Sequence, residues 1–256
     1  MRRAYTIIAI FVVLSELVFT SSAYADDNTD DNTFDCSAYA SVMSRALWNH
    51  LGTYATQGPA LVNFNECVHT ETGLYGNIFL LVPFEKFHDG KEGDIRFGYR
   101  REVLGIDVDG SVAWYGFTDG AETFQTLDVQ LRLARMFPLS PSVKLELYGM
   151  GDYQHSLTLG TNALGLAAGV SLGIDIPLPG TPNLKVGAEV WKYAFTPDPG
   201  KGPHGSFTAD LGFKIPGSAE IVIGPRAQFT VGDVDERHSG TVRSSFGVFV
   251  SVPFGF

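Results

Sequence analysis

The chain has no apolar run long enough to cross a bilayer as a helix, which excludes a helical membrane protein. It does not exclude a β-barrel, whose apolar residues are diluted by alternation. The chain is 45% hydrophobic, yet its mean hydropathy is only +0.07. Basic residues are scarce: 18 Lys and Arg stand against 28 Asp and Glu, a net charge of −10, which argues against a nucleic-acid partner. Only two cysteines occur, Cys36 and Cys67, and they form no CxxC pair, so a redox role is not expected. No GxSxG is present. No His/Cys cluster has metal-site spacing, and the Asp-rich tract after Ala25 lacks the glycine and closing Glu of an EF-hand. No metal or cofactor is therefore expected.

The N-terminus reads as a secretory signal over residues 1–25. Arg2 and Arg3 form its charged start, Ile7 to Leu14 its apolar segment, and Ala23-Tyr24-Ala25 a small-x-small cleavage site. Removing it takes away Arg2, Arg3 and Glu16, so 18 basic residues become 16 and 28 acidic ones become 27. With no cysteine at the cleavage point, a lipid anchor is not expected. Residues 26–35 read as an acidic, disordered leader, since they repel one another and hold little to bury. Residues 36–256 remain as one domain.

What the chain does have is glycine (29), phenylalanine (19) and tyrosine (10), which suit a sheet with tight turns and aromatic girdles. Its last stretch puts Phe246, Val248, Val250, Val252, Phe254 and Phe256 on one face, with smaller or more polar residues between them except Phe249. A strand ending on Phe256 resembles the signal by which bacterial outer-membrane barrels are taken up by their assembly machinery. The same alternation runs through Ile95–Phe97–Tyr99, Val129–Leu131–Leu133, Leu164–Ile176 and Phe207–Ile215. Short linkers marked by proline (Phe137–Ser142, Pro177–Pro182, Pro216–Ser218) alternate with longer polar ones (Asp152–Thr161, Pro197–Gly205, Gly232–Gly240). Short turns on one rim and longer loops on the other predict an all-β, up-and-down transmembrane barrel of about twelve antiparallel strands.

Periodicity leaves Cys36–Cys67 open between a helix, with Tyr39, Val42, Met43, Ala46 and Leu47 on one face, and a strand. The runs SRALW (Ser44–Trp48), QGPAL (Gln57–Leu61) and HTETGLYGN (His69–Asn77) resemble the start of a proteobacterial family of conserved hypothetical outer-membrane proteins, described as porins without an assigned activity (Gcw_chp-like). That resemblance implies an Arg-aromatic strand, a Gly-Pro-Ala turn and a second strand. The chain departs from it at Phe79-Leu80-Leu81, where the family often has Trp. On the strand reading, Ser37–Trp48 and Pro59–Thr70 form a hairpin with both cysteines at the periplasmic rim, favouring a disulfide in an exported chain.

The polar face is expected to line a hydrated lumen. Its cations are Arg45, Arg96, Arg100, Arg132, Lys144, Lys185, Lys214, Arg226 and Arg243, and its anions are Asp94, Asp107, Asp109, Asp128, Glu146, Glu189, Asp210 and Glu220. Near balance suits a confined space where unpaired charge is costly. Trp114 and Trp48 fit an interfacial belt as well as ordinary packing. His155-Ser156 and His238-Ser239 cannot be dyads on strands, because adjacent residues face opposite ways. Asp107 and Asp109 share a face, but Arg96 and Arg100 beside them suggest a salt-bridge lattice rather than acid–base catalysis, so no enzyme is expected. The expectation is an outer-membrane channel for small hydrophilic solutes or ions, in contact with lipid. The alternative is a non-conducting scaffold or surface-binding barrel filled by its own salt bridges.

Overall fold

The computed structural model of the chain describes residues 33–45, 47–48, 53–54, 56, 58–84, 91–119, 122–178, 182–196, 203–215, 221–232 and 243–255. The signal segment, most of the acidic leader, Glu220, His238-Ser239 and Phe256 lie outside the described residues. The strands are β1 (Phe34–Met43), β2 (Leu47–Trp48), β3 (Thr53–Tyr54), β4 (Ala60–His69), β5 (Leu74–Pro83), β6 (Lys91–Val103) and β7 (Ile106–Asp119). They continue with β8 (Glu122–Ser140), β9 (Val143–Ser156), β10 (Asn162–Asp175), β11 (Asn183–Phe195), β12 (His204–Lys214), β13 (Val222–Gly232) and β14 (Arg243–Gly255). Twelve of them close into one up-and-down antiparallel barrel, with β1 paired to β4 on one side and β14 on the other. The short β2 and β3 form a separate two-stranded sheet.

Alternation decides which face goes where. Val112, Val129, Leu131, Leu133, Val190, Phe207 and Val248 all stand exposed on the outer face, and Phe97 is 68% exposed there. A closed ring leaves no strand edge unpaired, and an apolar surface wrapped around it is the arrangement of a transmembrane β-barrel. On the outer face of β4, Asn63 and Asn65 interrupt this surface. Asn65 donates to the Asn63 side-chain oxygen at 2.5 Å, and Asn63 donates to the Tyr39 carbonyl at 3.3 Å, so each amide has a partner within the wall.

The region left open by periodicity is a strand hairpin, running in register from Phe34↔His69 to Met43↔Ala60. Cys36 and Cys67 face each other across it and are disulfide-bonded. Several expected boundaries move. β1 starts at Phe34, inside the expected leader, and stops at Met43, so Trp48 lies in β2 rather than at the end of a barrel strand. Trp114 is outward-facing but five residues short of the end of β7. The proline-marked stretch after Phe137 is mostly strand: β8 runs to Ser140, with its register shift between Pro138 and Ser140. A residue without an N–H is tolerated at such an irregularity. The expected loops at Asp152–Thr161 and Pro197–Gly205 are shorter, because β9 continues to Ser156 and β12 begins at His204.

The hairpin between β6 and β7 turns on two residues, Leu104 and Gly105, with φ of 55° and 75°. Two positive φ values mark the hairpin turn whose twist matches the strands it joins. Glycine suits the second position; a leucine, here 96% exposed, does not suit the first. Leu104→Asn is expected to raise stability by about 1 kcal/mol, read as a higher urea midpoint of the detergent-folded barrel. A midpoint at or below wild type would refute this.

Candidate functional site

The inner face is built on tyrosines laid over glycines. Tyr75 on β5 stands opposite Gly98 on β6, crosses it, and donates its hydroxyl to Asp109 on β7 at 2.6 Å. A Cβ on Gly98 would lie 2.3 Å from the Tyr75 ring. Tyr148 on β9 repeats the device, crossing Gly169 on β10 to donate to Glu189 on β11 at 2.8 Å, again with 2.3 Å left for a Cβ. Each ring lies along the wall and ties together strands two apart. The lumen stays hollow because the rings do not point across it.

The ion pairs follow the same plan. Arg100 pairs with Asp109 at 2.9 Å and Glu66 at 3.3 Å, with its guanidinium 4.9 Å from the Tyr75 ring centre. Arg132 pairs with Glu146 at 2.5 Å over the Tyr148 ring. Arg226 pairs with Asp210 at 3.4 Å and donates to the Tyr39 hydroxyl. These links join strands one or two apart, and none of them reaches the opposite wall. Of the expected lattice, Arg100 and Asp109 meet, whereas Arg96 donates instead to the Tyr115 hydroxyl at 2.6 Å. Asp107 lies two residues beyond Asp109 on the same face.

The charges expected to be nearly balanced are sorted by height. Lys144, Lys185 and Lys214 stand near the strand ends at the short turns, and Arg243 starts β14, buried, at the other end. Arg45 follows β1 rather than lying in it; it is exposed, and its carbonyl accepts a hydrogen bond from Ser245. Between the two ends is a cavity of about 590 Å³. One wall of it is apolar: Met43, Val62, Phe64, Phe79 and Leu81. The adjoining wall carries Glu92, Asp94, Arg96, Tyr115, Asp128 and Asp152, and Tyr39, Glu189, Trp191 and Arg226 also line the space. Asp94, Asp128 and Asp152 are 7%, 3% and 2% exposed, and the Oδ1 atom of each lacks a hydrogen-bond partner. Asp152 uses its other oxygen to accept from Gln154 at 2.8 Å. A second cavity of about 280 Å³, lined in part by Arg132, Glu146, Lys185 and Ser206, shares Met150 and Glu189 with the first.

Several lining residues were not singled out from sequence. Asp152 fell in an expected loop, although the inward run Glu146, Tyr148, Met150, Asp152, Gln154 continues without a break. Glu92 was missed because it precedes the alternation read from Asp94 onward, and Glu66 and the apolar wall because β5 is apolar on both faces from Ile78 to Val82 while β4 inverts the pattern, with Val62 and Phe64 inward and Asn63 and Asn65 outward. Asn77 and Glu66 carry the signal that fixes their parity, since Asn77 donates to Glu66 at 3.5 Å inside the lumen. Phe249, the exception in the last strand, points inward and stacks on Tyr39 at 5.7 Å. His155 and Ser156 occupy opposite faces; the His155 Nδ1 lies 2.7 Å from the Asn162 side-chain oxygen, and the Ser156 hydroxyl accepts from the Leu159 N–H. Among the described residues, no group of three His, Cys, Asp or Glu could hold a metal.

No family model matches the chain, and no curated protein sequence matches it. Solved structures do. The barrel is similar to the NanC porin, at 8% identity over 84% of this chain and 98% of that one, with a TM-score of 0.53. It is also similar to LpxR from Salmonella typhimurium, at 8% identity over 84% of this chain and 99% of that one, with a TM-score of 0.52. Likeness at such identities establishes the barrel fold.

Proposed function

We propose that the protein is a narrow channel of the bacterial outer membrane, through which small hydrophilic solutes or ions diffuse. The observation that carries this reading is the hollow lumen: two adjoining cavities lined by charged side chains whose ion pairs run along the wall. Charged groups facing a confined aqueous path set the selectivity of such pores. That a porin shares the fold supports the reading. Export with loss of residues 1–25, contact of the outer face with lipid, and uptake of β14 by the assembly machinery belong to the same proposal. The short turns then face the periplasm. A catalytic reading is not favoured, because Asp109, one of the two carboxylates that could act as acid and base, is held by Arg100 and Tyr75.

Conductance tests it. Purified protein in a planar bilayer is expected to give reproducible single-channel steps. Arg100→Ala leaves Glu66 and Asp109 without their cation, so the reversal potential in a salt gradient should shift toward cation selectivity. Because the Arg100 side chain is 42% exposed, its pairs add under about 1 kcal/mol, and the fold should survive. Electrical silence from a barrel with intact strand circular dichroism would sink the channel and leave the scaffold.

A further inference from the structure

From the larger cavity we infer a binding site for an organic cation, an amine or amidinium carried on an apolar or aromatic body. This deepens the channel reading by naming a solute class, but binding itself does not require conduction. Charge comes first. Five carboxylates line the cavity against the guanidiniums of Arg96 and Arg226, a formal excess of three negative charges among the described residues. Arg226 is already engaged by Asp210, which leaves Arg96 among Asp94, Asp128 and Asp152.

An acidic cluster alone would carry nothing. Here the Oδ1 atoms of Asp94, Asp128 and Asp152 lack any hydrogen-bond partner, although each of these residues is more than nine-tenths buried and lines the cavity. Buried polar atoms are nearly always paired in folded proteins, and an orphaned carboxylate oxygen is costly. Three of them around one hollow ask for donors from outside the chain. A metal ion does not answer, since no three carboxylates among the described residues are placed to hold one.

The apolar wall narrows the class further. It abuts the acids in register: Phe79 stands opposite Asp94, and Leu81 opposite Glu92, on β5 and β6. A small hydrated cation would gain nothing from Met43, Val62, Phe64 and Leu81, and a wholly polar solute would leave them facing water. A molecule with a charged amine at one end and a ring or short alkyl body at the other satisfies both walls at once. The aromatic faces of Phe64, Phe79 and Trp191 add attraction for a cation passing over them. A volume of about 590 Å³ lies within the range of small-molecule sites.

The test is calorimetric titration of the detergent-folded wild-type barrel with 2-phenylethylamine at neutral pH, against 2-phenylethanol, phenylacetate, methylamine and calcium. Saturable one-site binding of 2-phenylethylamine is expected, with each competitor at least about tenfold weaker, or about 1.4 kcal/mol. Asp94→Asn combined with Asp128→Asn, nearly isosteric changes, should weaken the amine by more than tenfold; Phe64→Ala should weaken 2-phenylethylamine while leaving methylamine unchanged. No saturable binding, equal affinity for the amine and phenylacetate, or preference for calcium overturns the site, and the wild-type series decides even if a variant fails to fold. Binding by a barrel that is silent in bilayers would keep the site and remove the channel. Conductance without binding would do the reverse.

Discussion

Removing the disulfide by Cys36→Ala with Cys67→Ala is expected to lower unfolding stability by about 3–4 kcal/mol in the chain-entropy model. The bridge closes a segment whose ends are 31 residues apart in sequence, including all of the connection between β1 and β4. Unbridged, the unfolded chain regains the freedom of that loop, while the folded hairpin keeps its register. The position magnifies the consequence. β1 is the strand on which the barrel closes, held by β14 on one side and β4 on the other, and Cys36 lies in register with both Phe254 and Cys67. Urea unfolding in detergent micelles would measure the effect, with reductant on the wild type as a second route to the same state. A loss below about 1 kcal/mol in both would show that β1 is held by its two ladders alone.

The second large effect is expected from Gly169→Val. The new side chain would occupy the space in which the Tyr148 ring now lies, so the ring must leave the wall. Its hydrogen bond to Glu189 is then lost, leaving that carboxylate the Ser206 hydroxyl at 2.9 Å. A hydrogen bond to a charged acceptor contributes about 1.5–3 kcal/mol, and the displaced ring has only the lumen to enter. Stability should fall by about 2–3 kcal/mol, and single-channel current should fall with it as the ring narrows the path. Gly173→Val is the control. It lies on the same strand and the same face, but a Cβ there meets nothing within 4 Å, so neither quantity should change. Equal effects at the two positions would mean that valine perturbs the strand itself, and that the tyrosine–glycine pairing has no special part.

How much could be read beforehand depended on contrast between faces. On β6, Asp94, Arg96, Gly98 and Arg100 alternate with Ile95, Phe97 and Tyr99, and both the strand and its inner face were legible. Leu104-Gly105, with its two positive φ values, closes the hairpin after it. On β5 the run Ile78 to Val82 is apolar throughout, so alternation had nothing to alternate with, and the inward wall of Phe79 and Leu81 went unseen. Pro138 read as the mark of a turn because proline lacks an N–H, yet a register shift in a long strand accommodates it equally well. The resemblance of Ser44–Asn77 to one family brought the hairpin reading, and the pairing of β1 with β4 shows that hairpin.

By itself the sequence determined an antiparallel sheet with apolar residues on one face and charged ones on the other, and the pair of cysteines that staple its first hairpin, while Glu66, Glu92 and Asp152 escaped it. Only the tertiary structure decided which of the charged residues meet. Parity along a strand says which face a side chain takes, but its height in the lumen and its neighbours around the ring depend on how far each strand is staggered against the next when the sheet closes. That stagger sets Arg100 between Glu66 and Asp109, sends the three lysines to one mouth, and gathers Asp94, Asp128 and Asp152 beside an apolar wall.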